Sequence, residues 1–184
     1  MKFNLITIDP PWPISKIKTR MRPNQINIDY PLMSLQDIWK LNIKDLAEDI
    51  SYCFLWTTQK YLFTAKDILE NYGFKHLLTM VWKKEYGKSN GMPLFGFRWN
   101  VEFILVGIRG TIKALPKQKL ILAGFSAINE GHSKKPNEFY KMIEHLGNKR
   151  LDIFARKEKD GWICIGNEIT GNSIEKDIEN LIKL

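Results

Sequence analysis

The sequence predicts an α/β domain with a mostly parallel sheet and helices on both faces, and three observations carry that prediction. Apolar runs of strand length alternate with helical patterns along the whole chain. Turn and cap residues, chiefly Gly, Pro and Ser, fall between them. The unusual polar motifs lie just after the strand-like runs, which is where open α/β sheets bind ligands.

Phe3–Ile8 reads as the first strand. Ser34 with Asp37 three residues on gives a capped start to a short helix reaching about Leu41. Residues 52–56 read as a buried strand. Thr58 is expected to cap the next helix, whose apolar stripe is Leu62, Ala65, Leu69 and Tyr72 and which ends at Gly73. Residues 76–82 are a strand and 83–100 an irregular stretch. Residues 101–108 are strongly β-like, with Gly107 and Gly110 marking the exit. Residues 119–123 read as a short strand. Pro136 fits the first turn of a helix to about Leu146, with Gly147 just past its end. Residues 151–155 and 162–165 read as paired short strands, and Ser173 caps a final helix. With 184 residues, 44% hydrophobic content and no repeat or linker, residues 1–184 are expected to form one domain.

Net charge is +8 and the sequence pI near 9.4, which favours an anionic partner. Lys16, Lys18, Arg20 and Arg22 form one basic segment; Lys83, Lys84, Lys88 and Arg98 bracket a second. Both are expected to touch phosphate. Cys53 and Cys164 sit in apolar runs and read as core residues. No apolar run is long enough to span a membrane, and the N-terminal stretch reads as a strand, not a signal peptide. A cytoplasmic protein is expected. His76, His132 and His145 are dispersed, so no metal site is expected.

Asp9-Pro10-Pro11-Trp12 follows the first strand directly. Asp9 offers a carboxylate acceptor. The two prolines lack N–H groups and have fixed φ, so the carbonyls beside them are held rigidly. Trp12 offers a flat stacking surface. Together these groups suit a planar amino group: two acceptors for two hydrogens, and an aromatic face for the ring.

With later segments in order, the chain resembles the MT-A70 family of adenine N6-methyltransferases, specifically its short bacterial and phage members. The segments that carry the resemblance, besides Asp9–Trp12, are Tyr30-Pro31-Leu32-Met33, Leu55-Trp56-Thr57-Thr58, Arg98-Trp99-Asn100-Val101-Glu102, His132-Ser133-Lys134-Lys135-Pro136, Leu151-Asp152-Ile153-Phe154 and Gly166-Asn167-Glu168. The resemblance implies a Rossmann-like S-adenosylmethionine-dependent fold with permuted motif order, catalytic motif first and donor site mostly C-terminal. It implies catalytic roles for Asp9, Pro10, Pro11 and Trp12. His132, Ser133, Lys134, Lys135, Phe154, Asn167 and Glu168 would hold S-adenosyl-L-methionine, with the Lys pair at its carboxylate and Asn167-Glu168 at its ribose or adenine edge. Tyr30, Lys16, Lys18, Arg20, Arg22, Lys83, Arg98, Asn100 and Glu102 would hold substrate. A solvated Lys134-Lys135 pair and a turn-capping Asp152 remain open alternatives. Larger relatives carry an upstream donor-contacting strand, and only eight residues precede Asp9 here. The substrate implied is nucleic acid, DNA before RNA. RNA methylation, cytosine N4 transfer and a catalytically silent nucleic-acid-binding subunit are the alternatives. A homodimer or an accessory recognition subunit is the protein partner expected.

Overall fold

The computed structural model describes residues 1–13, 32–85, 92–94, 97–113, 116–129 and 134–184. Its elements in chain order are β1 (Phe3–Ile8), α1 (Leu35–Lys40), β2 (Ala47–Thr57), α2 (Leu62–Asn71), β3 (Lys75–Glu85), β4 (Met92–Leu94), β5 (Phe97–Trp99) and β6 (Val101–Arg109). There follow β7 (Gly124–Ile128), α3 (Asn137–Ile143), β8 (Arg150–Ile153), β9 (Ile163–Ile165), α4 (Asn167–Thr170) and α5 (Ile174–Lys183).

Seven strands form one sheet in the order β7-β3-β6-β2-β1-β8-β9, and β4 pairs with β5 in a separate ribbon. β1 pairs parallel with β2 and β8, β8 with β9, and β3 with β7. Only β6 runs the other way, antiparallel to β2 and β3. The expected mostly parallel, Rossmann-like α/β fold therefore holds, with one reversed strand.

Strand alternation explains the two cores. Ile6, Cys53, Leu55 and Leu105 face α1, α2 and α5, where Ile38, Ile68, Leu69, Ile174 and Ile178 are buried. Leu5, Phe54, Trp56, Met80 and Trp82 face α3, with Phe139, Tyr140 and Ile143. Ser34 caps α1 by accepting from the Asp37 N–H, and Ser173 caps α5 by accepting from the Lys176 N–H, both as expected.

Several sequence readings are corrected. Thr58 makes no cap bond; a 3₁₀ turn, Gln59–Tyr61, intervenes before α2. The strand expected at residues 119–123 begins instead at Gly124, because hydrogen bonding to β3 starts where Val81 meets Ala123 and Gly124. The stretch 83–100, read as irregular, carries the end of β3 and the β4–β5 ribbon. Pro136 is the residue before α3, not its first turn. Gly107 lies inside β6, where a Cβ would sit 2.8 Å from the Phe74 Cβ. Gly147 is extended rather than left-handed, and a Cβ there would meet Asn4 Oδ1 at 2.5 Å. Both glycines permit close packing; Gly107 does not end β6, whereas Gly147 does follow the helical segment, directly after the 3₁₀ turn Glu144–Leu146 that extends α3.

Candidate active site

Because only β6 is reversed, the carboxyl ends of β1, β2, β8 and β9 share a rim with the amino end of β6. A cavity of about 820 Å³ opens on that rim, well sized for a small-molecule ligand. Its walls include Asp9–Trp12 after β1, Thr57 and Thr58 at the end of β2, and Glu102 on β6. Lys135 before α3, Phe154–Arg156 after β8, and Asn167 and Glu168 after β9 complete most of the lining.

The Asp9–Trp12 loop is fixed by its own backbone and by two aromatic anchors. The Trp12 N–H donates to the Pro10 carbonyl at 2.8 Å, and the Met33 N–H to the Pro11 carbonyl at 3.0 Å. The Trp12 indole N–H donates to the Trp56 carbonyl at 3.0 Å. Its ring stacks on Tyr61 with centroids 5.3 Å apart, and the Tyr61 hydroxyl donates to the Pro13 carbonyl. Trp12 is only 5% exposed. The expected stacking face is thus corrected: the ring is spent on the core, and Trp12 anchors the loop that presents Asp9.

Asp9 ends a ladder of alternating charges. Lys135 Nζ lies 3.0 Å from Asp9 Oδ2 and 3.0 Å from Glu102 Oε2, and Lys84 pairs with the other oxygen of Glu102. Lys135 Nζ also sits 4.9 Å from the Trp56 ring centroid, and Lys84 Nζ 5.0 Å from that of Trp82. Burial raises the Asp9 carboxyl above the ordinary Asp range; Lys135 offsets part of this, and Glu102 adds to it. Burial also opposes ionisation of Glu102, but Lys135 and Lys84 outweigh it and hold Glu102 low. For Lys135, burial disfavours the charge and the two carboxylates outweigh it, so the ammonium is held above its usual range. Lys135, read from sequence as a donor-carboxylate ligand, thus also neutralises Asp9. Glu102, read as a substrate contact, belongs to the same ladder.

The opposite wall is built where β8 and β9 end. Phe154 adopts φ 66°, a strained conformation for a non-glycine residue. The Ala155 N–H donates to the Ile165 carbonyl at 2.9 Å. Arg156 Nε lies 3.7 Å from Glu168 Oε1. At Gly166 a Cβ would stand 2.6 Å from the Ala155 carbonyl oxygen, so only glycine lets the two loops close together. Gly166→Ala is expected to push Asn167 and Glu168 out of place and weaken binding of any ligand held by them about tenfold or more. Calorimetric titration checks this; unchanged affinity would mean these two residues are not ligand contacts. Beneath this wall Asp152 is buried, accepting from the Tyr140 hydroxyl at 3.2 Å and paired with Lys159 at 2.5 Å. Lys134 is exposed and lines a small recess beside Asp152.

Of the sequence-predicted residues, Asp9, Pro10, Pro11, Trp12, Glu102, Lys135, Phe154, Asn167 and Glu168 meet in the cavity. Lys83 is exposed on β3 and the Asn100 carbonyl accepts from the Lys84 N–H at 2.7 Å; neither Lys83 nor Asn100 is among the cavity walls. Lys16, Lys18, Arg20, Arg22, Tyr30, His132 and Ser133 lie outside the described residues, as does the side chain of Arg98 on β5. Sequence reasoning set Thr58 and Arg156 on the rim without a site role, and missed Met33 and the run from Gly171 to Glu175 as cavity walls. A signal existed for Thr58 and Arg156, which follow strands. None marked residues 171–175.

A sequence profile of the MT-A70 family matches residues 3–168. The chain belongs to the MT-A70 family. Curated relatives include the N(6)-adenosine-methyltransferase non-catalytic subunit METTL14 of Danio rerio, 28% identical over 96% of this chain and 42% of the relative. A probable N(6)-adenosine-methyltransferase MT-A70-like protein of Oryza sativa subsp. japonica is 27% identical over 92% of this chain and 23% of the relative. The N(6)-adenosine-methyltransferase catalytic subunit METTL3 of Homo sapiens is 26% identical over 92% of this chain and 29% of the relative. The chain spans less than half the length of these MT-A70 relatives. The profile match ends at Glu168, on the cavity wall.

Proposed function

We propose that this chain transfers a methyl group from S-adenosyl-L-methionine to the exocyclic N6 of adenine in nucleic acid. The observation that carries the reading is Asp9 and Pro10, in a loop whose Pro10 carbonyl is fixed by the Trp12 N–H, at one wall of a cavity that also presents Asn167, Glu168 and Arg156.

The residues present fit the donor. Asn167 and Glu168 offer an amide and a carboxylate to ribose hydroxyls, Lys135 and Arg156 bring positive charge for a carboxylate, and Phe154 and Ile174 supply apolar surface. When bound, the donor supplies an electrophilic methyl group on a sulfonium. The chain's own work is positioning and electrostatics. Asp9 and the Pro10 carbonyl each accept one amine hydrogen, which draws the nitrogen lone pair out of the ring's plane of delocalisation and aims it at the methyl carbon. A methyl group supplied there would join the nitrogen as its bond to sulfur broke, the sulfur keeping the electron pair, and the chain's role would be to hold the amine until its extra proton is lost to solvent. Asp9 acts as an ionised acceptor, and its raised carboxyl range places the acid fall-off of turnover above the usual Asp values.

The sequence reading placed DNA first. The curated relatives are named for adenosine, the ribonucleoside, and this supports RNA as an equal first substrate. Offering DNA and RNA separately with radiolabelled donor decides between them, and no transfer to either would overturn the proposal. A silent subunit is the second reading, favoured by the likeness to METTL14; it predicts nucleic-acid binding with no transfer. A homodimer or a recognition partner completes either reading.

Lys16, Lys18, Arg20 and Arg22 are proposed to grip phosphates. Replacing all four with Ser is expected to weaken nucleic-acid binding and flatten its salt dependence, by a slope of about 0.9 per lost duplex contact. Identical salt slopes would make the run a solvated loop.

A further inference from the structure

The cavity wall continues past Glu168, the last residue of the family-profile match, through Gly171, Asn172, Ser173, Ile174 and Glu175. This stretch is the turn joining α4 to α5, and it is held by a buried carboxylate that the proposed reaction does not use. Asp177 is 4% exposed. One of its oxygens accepts from the Thr170 hydroxyl at 2.6 Å, the other from Asn172 Nδ2 at 3.0 Å. The Asn172 N–H in turn donates to the Thr170 hydroxyl at 3.2 Å. Gly171 takes φ 71° to make the corner.

The consequence is directional. With Nδ2 bonded to Asp177, the amide of Asn172 cannot flip without losing that bond, so its carbonyl oxygen is held on the side away from the carboxylate as an acceptor, with one Nδ2 hydrogen still unused by Asp177. Ile174, on the same wall, is mostly buried in the core and shows the cavity only a small apolar edge, against which a flat heterocycle can pack. An acceptor held rigidly beside an apolar residue suits an aromatic ring bearing an amino group.

We propose that Asn172 and Ile174 form the subsite for the adenine of the methyl donor, with Asn172 Oδ1 accepting from its exocyclic amine. This rests on the reading that Asn167 and Glu168 hold the donor's ribose, since the chain then places residues 171–175 next along the wall. Asp177 is a positioning residue that fixes the orientation of the Asn172 amide.

The test is binding selectivity, measured by calorimetry on the full chain without nucleic acid. The probes are S-adenosylhomocysteine and its hypoxanthine counterpart, S-inosylhomocysteine, in which an oxygen replaces the amine. Wild type is expected to prefer the adenine form about tenfold. Asn172→Ala should bring the adenine form down to the hypoxanthine level while leaving the hypoxanthine affinity within about twofold. That second value shows that the variant is folded and its cavity intact. Equal wild-type binding of both probes, or a preference that survives Asn172→Ala, overturns the assignment. Failure of wild type to bind either probe overturns instead the donor reading on which it rests.

Discussion

Asp9→Ala is expected to lower methyl transfer about 100- to 1000-fold, the usual scale for removing one preorganised group aimed at a reacting centre. The expectation comes from what Asp9 can and cannot be replaced by. Trp12 is packed into the core against Tyr61, and the prolines offer carbonyls only, so no neighbour on the loop can supply a second negative acceptor. Donor affinity should change much less, because the donor is assigned to the walls after β8 and β9. A transfer assay and a donor titration on the same variant separate the two effects. Turnover within about tenfold of wild type would contradict the role given to Asp9.

Lys135→Met is expected to produce the largest loss of stability and to move the pH profile as well. The ammonium lies between two carboxylates at 3.0 Å each, and its side chain is 11% exposed. Removing it leaves Asp9 and Glu102 facing one another, with Lys84 at Glu102 and the more distant Arg156 at Asp9 as compensation among the described residues. Breaking a buried ion pair typically costs about 3–5 kcal/mol, and access of water from the cavity places this site toward the low end. The sign of the pH effect follows from linkage. Asp9 and Glu102 both lose a cation that favours their ionised forms, so both carboxyl pKa values rise further. Any remaining turnover should therefore fall off at higher pH than in wild type, and stability should improve as acid protonates the pair. The double variant Lys135→Met with Glu102→Gln should recover part of the lost Tm by removing one carboxylate. A single variant with wild-type Tm and pH profile would show that the ladder carries no energy.

How much of this was legible in the sequence depended on range. The strand after which Asp9 falls, the caps at Ser34 and Ser173, and the grouping of strand exits on one rim all follow from local pattern plus the rules of α/β sheets. The fate of the Trp12 ring did not, because it is decided by Tyr61, far along the chain. Nor did the double pairing of Lys135, which needs β1, β6 and the start of α3 to meet. Glycines misled for a related reason. Gly107 looks like an element end yet lies inside β6, and Gly147, though it does follow a helical end, is extended and admits Asn4 and Leu5 from β1. The wall at residues 171–175 was invisible because its key residue, Asp177, reads as an ordinary acidic residue in the first turn of a helix.

The central claim is that Asp9 and the Pro10 carbonyl together hold the exocyclic amine of adenine for methylation. The most direct measurement uses donor carrying a deuterated methyl group, followed by digestion of the nucleic acid and mass-spectrometric identification of the labelled nucleoside. The account predicts the label on adenine N6 and its loss in Asp9→Ala. Label on a ring nitrogen of adenine or on cytosine N4 would contradict it.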